Sequence, residues 1–277
     1  MVRPVEDDAR GIVAPDLGLT HFRLERFPPS PSVGRFVDRY WVVTWDRCGQ
    51  PPYTQHVLAH PVVNISFVDG GPGIVHGPTT RLGSRTLVGA GRALGVMFRP
   101  AGFRPMLRRS MSTIVDADVR LGTVLGAAAA GVAAAVARAS GPEDMAMVVD
   151  GALRSLVPHG RRSSEATTEL AEQIAADPAC RRVEALAAGQ AVSVRQLQRR
   201  FADHVGLSPK AVIRRYRLYE AAERARAGPA VDWAALAAEL GYSDQAHLTR
   251  EFTDLLGLSP GRYVAANAGH GPVARER

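Results

Sequence analysis

Arginine and glutamine side chains that could hydrogen-bond nucleic-acid bases are concentrated in one short segment, SVRQLQRRF. If the segment is helical, Arg195, Gln196, Arg199 and Arg200 point away from its apolar stripe, and Gln198 lies at the margin of that stripe. Arginine can bond two acceptor atoms of guanine, and glutamine can bond adenine in the same bidentate way. The alternative is a helix face that is merely solvated, which is the favoured interpretation for an isolated helix.

The positive charge of the chain is concentrated around the same segment. The 277 residues carry a net charge of +7, and residues 181–226 alone hold 11 basic and 4 acidic residues. Residues 227–277 hold 4 basic and 6 acidic residues, and residues 1–180 hold 19 and 17. A basic block of this kind is typical of a phosphate-binding surface, although charge alone does not distinguish it from a solvated face.

The composition argues against several classes of protein. Hydrophobic residues make up 46% of the chain, which is enough for a packed core. Two cysteines, Cys48 and Cys180, are too few for a disulfide framework, a four-cysteine zinc site or a methyl-accepting cysteine cluster. We therefore expect a reducing, cytoplasmic compartment. The uncharged residues 121–137 are mostly Ala and Gly, so they predict a packed helix rather than a membrane span.

Two helices and a tight turn are needed to position the arginine-rich segment. Ser193 can cap a helix that Gly206 ends, because glycine enters the left-handed conformation cheaply at that point. Upstream, residues 183–188 form a short apolar helix and residues 189–191 form the turn. The apolar stripe of the second helix consists of Val194, Leu197, Phe201 and Val205. This pattern predicts a helix-turn-helix unit.

The same pattern occurs a second time, 51 residues later. FADHVGLSP at residues 201–209 recurs as FTDLLGLSP at residues 252–260. Before the second copy, residues 241–243 form the turn and residues 244–256 the helix that follows it. A connecting helix over residues 210–227 lies between the copies. The sequence therefore predicts two helix-turn-helix units joined by one long helix.

The run SVRQLQRRFADHVGLSP, followed by LGYSDQAHLTREFTDLLGLSP, closely resembles the AraC/XylS-type transcription regulators. Their DNA-binding domain consists of two helix-turn-helix subdomains joined by one long helix. The resemblance covers roughly residues 165–268 and includes both copies, the turn glycines and their spacing. It implies that double-stranded DNA is the partner, with two recognition helices in successive major-groove segments about 34 Å apart.

Matching each residue to the family pattern implies which side chains contact DNA. For the first recognition helix, the residues expected on bases are Arg195, Gln198 and Arg199. The residues expected at most on phosphates are Arg200, Lys210, Arg214 and Arg215. For the second recognition helix, the candidates for base contacts are Gln245, Thr249 and Arg250.

The two recognition helices differ where they would meet DNA. At the 51-residue offset Arg195 becomes Ala246, and Arg200 becomes Glu251. We therefore expect the first unit to dominate affinity and the second to refine specificity.

The N-terminal half predicts a different architecture. Residues 20–105 are rich in short strands with frequent Gly and Pro turns, which indicates a small β-barrel-like (cupin-like) domain. Helices are expected over 121–139 and 142–156, followed by a linker and a helix capped by Ser164. The expected fold class is α+β, with an N-terminal domain over 1–160 and an all-α DNA-binding domain over 161–277.

By family resemblance, the N-terminal domain implies effector binding or dimerisation, and RNA polymerase is a further implied partner. His56, His60 and His76 suggest a metal site, but carboxylates at matching spacing are missing, so no cofactor, metal ligand or catalytic residue is assigned. Overall, the sequence predicts a sequence-specific DNA-binding transcription regulator. Whether it activates or represses, and whether it forms a homodimer, stays open.

The rival function is an enzyme. One version is a barrel with metal-dependent chemistry, which predicts stoichiometric bound metal. The other is a DNA-repair protein with the same DNA-binding domain, which needs a reactive cysteine cluster that two scattered cysteines do not supply.

Overall fold

The computed structural model describes residues 11–177, 182–226 and 231–268. Cys180 and Ala227, the expected last residue of the connecting helix, lie outside these ranges. Within them the N-terminal half is built mainly of strands and the C-terminal half of helices, so the predicted α+β class is confirmed. The strands are β1 (Arg23–Phe27), β2 (Val37–Arg47), β3 (Tyr53–Val57), β4 (Asn64–Val68), β5 (Ile74–His76), β6 (Gly83–Leu87), β7 (Gly89–Phe98) and β8 (Asp118–Arg120).

The strands of the described chain form two antiparallel sheets. The larger sheet has the order β1-β2-β7-β4-β5-β8, and β3 pairs with β6 in a separate ribbon. Strands β1 and β8 are the edges of the larger sheet, so the barrel-like domain is open rather than a closed barrel. The long strands β2 and β7 lie next to each other and pair along most of their length.

Successive side chains of each strand point to opposite sides, so the larger sheet has two different faces. One face is the core, where Tyr40, Ile65 and Leu94 are at most 2% exposed and pack with residues of the helices that follow the sheet. The opposite face carries Trp41, Ser66 and other polar or aromatic side chains. A sheet with one packed face and one partly solvated face is typical of antiparallel strands.

Helices cover the core face of the sheet. The prediction of one helix over 121–139 is wrong, because Gly126 has φ of 63° and separates two helices. The predicted helix Pro142–Leu156 is confirmed at both ends, with Pro142 in the first turn. The N-terminal helices are α1 (Pro15–Gly18), α2 (Leu121–Leu125), α3 (Ala128–Arg138) and α4 (Pro142–Leu156). Two short 3₁₀ turns lie at Val33–Arg35 and Met111–Ile114.

The C-terminal half contains two similar clusters of helices. The helices are α5 (Ser163–Ala176), α6 (Val183–Gly189), α7 (Val194–His204), α8 (Pro209–Arg226), α9 (Trp233–Glu239), α10 (Gln245–Leu256) and α11 (Pro260–Ala268). The first cluster packs α5, α6 and α7 on the start of α8, and the second packs α9, α10 and α11 on its later part. Helix α5 begins one residue before the predicted cap, so Ser164 is buried inside its first turn.

The halves are joined by polar contacts as well as by packing. Arg99 after β7 forms two hydrogen bonds with Glu172 of α5, at 2.7 and 2.6 Å, and Arg35 pairs with Glu165 at 2.7 Å. Although burial raises the pKa of Glu165, the bonds from the Arg35 side chain and the Arg162 backbone hold it below its usual value. The N-terminal half therefore contacts the first helical cluster directly.

Candidate nucleic-acid interface

The first unit presents its predicted base-contacting residues to solvent. Leu197 and Phe201 are fully buried under α7, whereas Arg195, Gln198 and Arg199 are exposed. The apolar stripe fixes which face of the helix is buried, and the polar face then points outward. The structure therefore brings these three side chains together on one accessible helix face.

Gln196, which also points outward, has another role. Its side-chain oxygen accepts a hydrogen bond from the Ser193 backbone N–H at 2.8 Å, and Ser193 Oγ accepts one from the Gln196 N–H at 3.2 Å. These reciprocal bonds form a capping box at the start of α7. The side chain of Gln196 thus fixes the beginning of the helix.

The second unit has the same arrangement of buried apolar and outward-facing polar side chains. Leu248 and Phe252 are fully buried, Gln245 and Arg250 are exposed, and Thr249 is half-buried. Asp244 caps α10 by accepting a hydrogen bond from the His247 backbone N–H at 2.7 Å. This bond is the main reason that the pKa of the Asp244 carboxyl lies below its usual value.

The glycines that end both recognition helices behave as predicted. Gly206 has φ of 89° and Gly257 has φ of 69°, so both adopt the left-handed conformation. In the turns before the helices, however, the left-handed residues are Ala191 and Gly241, whereas Gly189 lies inside α6.

The spacing between the two units is not constant, which sequence comparison missed. In the first helix and turn, equivalent residues are 50 positions apart: the Val192 N–H bonds the Ala187 carbonyl, and the Tyr242 N–H bonds the Ala237 carbonyl. From the capping residues Ser193 and Asp244 onward, the separation is 51. The additional residue is Ser243, which lies between the turn and α10.

Arg214 and Glu251, which are not among the predicted base contacts, join α8 to the second recognition helix. Arg214 pairs with Glu251 at 2.9 Å, and His247 lies 3.4 Å from the same carboxylate. Glu251 occupies the position of Arg200 in the first unit, and this change of sign was the sequence signal for a different role. The pair holds α10 against the connecting helix.

The expected phosphate contacts divide into different environments. Lys210 is exposed at the start of α8, and Arg200 is half-buried on the first recognition helix. Arg214 is exposed but paired with Glu251. Arg215 is 6% exposed, and its guanidinium donates to the Thr79 carbonyl in the N-terminal half at 2.8 Å. In this arrangement Arg215 does not reach a phosphate, because its charge points into the contact between the two halves.

The three histidines considered for a metal site lie in different surroundings. His56 is exposed on β3, His60 stacks on Tyr219 at 4.3 Å, and His76 bonds Ser66 and Asp118. Among the described residues, no group of three or more His, Cys, Asp or Glu side chains is placed to hold a metal ion. None of the described helices has both the length and the apolar character needed to span a bilayer.

Two helix-turn-helix units on one connecting helix, each with an exposed polar face, define the C-terminal half as a DNA-binding domain. Residues 186–266 match a family model described as a helix-turn-helix domain, of the AraC type. Residues 186–266 are therefore a helix-turn-helix domain of the AraC type, and such a domain supports a DNA-binding transcription regulator. Residues 25–120 match a second model, described as a domain of unknown function (DUF6597).

Comparison with curated protein sequences gave no match. Among solved structures, the chain is similar to ToxT from Vibrio cholerae, with 11% identity, a TM-score of 0.43, and coverage of 89% of this chain and 98% of ToxT. It is also similar to unsaturated fatty acid bound ToxT, with 9% identity, a TM-score of 0.42 and coverage of 91% and 98%. The C-terminal domain of the response regulator AraT from Geobacillus stearothermophilus has 20% identity, a TM-score of 0.34 and coverage of 39% and 88%.

Proposed function

We propose that the protein regulates transcription by reading two adjacent major-groove segments with α7 and α10. The observation that carries the proposal is the pair of exposed polar helix faces, each held by a buried stripe and a capped start, on the two ends of one helix. A major groove accommodates one α-helix, so two helices on one connector fit successive segments of one face of the duplex. The base contacts we propose are Arg195, Gln198, Arg199, Gln245, Thr249 and Arg250.

Within this proposal the first unit provides most of the affinity. Its helix α7 presents Arg195 and Arg199, and Lys210 is exposed at the start of α8. In the second unit Arg250 is the exposed arginine of α10, and the carboxylate of Glu251 lies on the same helix. The second unit therefore presents less positive charge to phosphates than the first, so α10 is better suited to discriminate between bases than to attract the backbone.

Selection of bound DNA from a random pool tests the proposal. We expect two enriched motifs about 10 base pairs apart on one face of the duplex. Binding should also weaken steeply as salt is raised, because phosphate contacts release counterions. A pool with no enriched sequence would refute specific recognition.

Substitution of the equivalent arginines Arg199 and Arg250 tests whether the first unit provides most of the affinity and the second most of the base discrimination. On the selected site, Arg199→Ala should lose about 1–3 kcal/mol of binding free energy, and Arg250→Ala should lose less but relax discrimination at its own base position. Arg138→Ala, an exposed arginine on α3, is the matched control and should bind as the wild type does. An equal or larger affinity loss from Arg250→Ala would contradict the assignment.

We further propose that residues 1–160 form a regulatory domain that modulates the DNA-binding domain of residues 161–277. Support comes from a cleft of about 210 Å³ between the halves, lined by Arg39 and His60 on one side and Tyr216 and Glu220 of α8 on the other. A small-molecule effector that binds there contacts the helix that carries both units. An effector would raise the unfolding temperature by mass action, whereas a domain that only dimerises would show no ligand-dependent shift.

RNA polymerase and a second copy of the chain are the other partners in this proposal. Sedimentation with and without operator DNA measures the homodimer directly. Pull-down of purified polymerase on operator DNA measures the second contact. The proposal assigns no catalytic step to DNA recognition.

A further inference from the structure

A serine, a histidine and an aspartate lie in sequence on three neighbouring strands of the larger sheet. Ser66 Oγ of β4 lies 2.7 Å from His76 Nε2 of β5, and His76 Nδ1 lies 2.6 Å from Asp118 Oδ1 of β8. The pairing of His76 with Asn64 on one side and Asp118 on the other fixes these distances, because the three strands are hydrogen-bonded in register. Nucleophile, base and orienting carboxylate within hydrogen-bond reach are the geometric signature of nucleophilic catalysis.

The hydrogen-bonding chemistry of these three side chains determines which atoms carry the protons. A carboxylate can only accept hydrogen bonds, so His76 donates through Nδ1, and its Nε2 is left to accept the Ser66 hydroxyl proton. Burial lowers the pKa of His76, although the Asp118 hydrogen bond and charge oppose this effect and Arg85 adds to it. A neutral imidazole with a free Nε2 lone pair is the form that a general base requires.

The Trp41 indole covers the sheet beside the serine. Gly95 is paired with Ser66 on one side and Trp41 on the other, and a Cβ atom at Gly95 would lie 1.9 Å from the Trp41 indole. The indole therefore lies over Gly95, next to Ser66, and its Nε1 is 3.4 Å from Asn64 Oδ1. Ser66 is 7% exposed and its neighbours Trp41, Asn64 and His76 are half-buried, so a substrate would reach Ser66 Oγ only past these three side chains.

We propose that Ser66 is a nucleophile that accepts an acyl group from small activated esters. Ser66 Oγ attacks the carbonyl carbon while its proton passes to His76 Nε2, and Asp118 holds the imidazole in position. The tetrahedral intermediate then loses the alcohol, which takes the proton from His76, and the acyl group remains on Ser66 as an ester. The flat indole of Trp41 favours planar or apolar acyl groups.

Acylation by p-nitrophenyl acetate tests the proposal in the full-length protein. We expect stoichiometric release of p-nitrophenolate and an acetyl group on the peptide that contains Ser66, located by mass spectrometry. Ser66→Ala should abolish this adduct, and Ser84→Ala, an exposed serine on β6, should leave it unchanged. His76→Gln should slow acylation by about 100-fold or more, because the general base is lost.

Asp118 acts as a positioning residue, and its test uses the pH profile. The charged groups beside His76 are Asp118 and Arg85. Asp118→Asn should slow acylation about tenfold or more. It should also move the acid limb of the rate profile to lower pH, because the carboxylate no longer favours the imidazolium. A purely structural aspartate would not move this limb.

Thermal unfolding and DNA binding of the variants are the two controls for this experiment. Thermal unfolding shows whether each variant is folded, and Ser66→Cys retains a nucleophile if Ser66→Ala does not fold. DNA binding by the folded variants should be unchanged, so failure here is separate from failure of the proposed regulator function. An adduct that maps to Cys48 or Lys210, no adduct at all, or acylation that His76→Gln does not slow would overturn the proposal.

Discussion

At the scale of single residues, the two turns adopt the same positive-φ backbone conformation with different amino acids. Ala191 has φ of 51° and Gly241 has φ of 75° at equivalent places before the recognition helices. A residue with a Cβ atom is strained in this region, whereas glycine is not. The first turn therefore holds a strain that the second lacks.

Exchanging the turn residues should change stability in opposite directions. Ala191→Gly should raise the free energy of unfolding by about 0.5 kcal/mol, because relief of strain exceeds the added entropy of the unfolded chain. Gly241→Ala should lower it by about 1 kcal/mol. Urea denaturation of the two variants measures both values, and equal signs would contradict this account of the turns.

His204 is a second residue whose surroundings have a measurable consequence. Its ring lies 2.8 Å from Thr167 Oγ1 of α5, at the end of the first recognition helix. Burial lowers its pKa below 6.5; Arg104 and Arg200 add to this effect, and Asp203 opposes it. The folded protein thus resists protonation of His204 more than the unfolded chain does.

Stability should therefore fall as pH drops below about 6.5, because the unfolded state takes up protons there and the folded state does not. His21 and His76 have pKa values lowered in the same sense, so they add to the fall. His204→Gln should remove part of the loss between pH 7 and pH 5.5, measured from urea midpoints. His159→Gln, at an exposed position, is the matched control for the loss of a histidine side chain.

At the scale of elements, the features that depend on nearby residues were predictable. The stripe of Leu197 and Phe201, the cap at Ser193 and the stop at Gly206 all follow from interactions within one or two helical turns, and the structure has each of them. The pair Glu220–Arg224, at 2.8 Å, was predictable for the same reason.

Features set by distant residues were not predictable. Arg215 looks like any other basic residue of the block, and its burial depends on Thr79, which is 136 residues away in sequence. The break between α2 and α3 depends on Gly126 taking a positive φ of 63° inside an alanine-rich run that favours helix. The trio of Ser66, His76 and Asp118 arises only when β4, β5 and β8 pair.

The capping box of α7 gives an element-scale prediction. Ser193→Ala removes the acceptor for the Gln196 N–H, so it should lower the free energy of unfolding by about 1 kcal/mol and weaken DNA binding by misplacing Arg195. Ser193→Asp should retain most of the stability, because Asp244 caps α10 in this way. Urea denaturation provides the test, and a Ser193→Asp variant as unstable as Ser193→Ala would contradict it.

At the scale of the whole molecule, ion pairs connect the N-terminal half to the first helical cluster. Arg99 and Glu172 are largely buried, with side chains 24% and 15% exposed. Pairs with two well-formed hydrogen bonds and little solvent are stronger than exposed pairs, which contribute little. The contact therefore links the position of the first unit to the state of the N-terminal half.

A double-mutant cycle measures this link. Single and double substitutions of Arg99 and Glu172 by Ala should give a coupling energy of about 1 kcal/mol or more. The matched control is Arg161–Glu169, whose side chains are 70% and 63% exposed and whose coupling should be near zero. Equal coupling in the two pairs would show that the Arg99–Glu172 contact does not hold the halves together.

The extra residue Ser243 also determines how the two units can be exchanged. Helix α7 can be grafted onto the position of α10, because the capping residues Ser193 and Asp244 and the stop glycines Gly206 and Gly257 keep a constant separation of 51 residues. A whole unit cannot be moved in the same way, because its first helix and turn keep a separation of 50. If the units arose by duplication of one ancestral segment, a single codon was gained or lost afterwards at this junction. Engineers who wish to retarget the protein should therefore treat the recognition helix, and not the motif, as the interchangeable part.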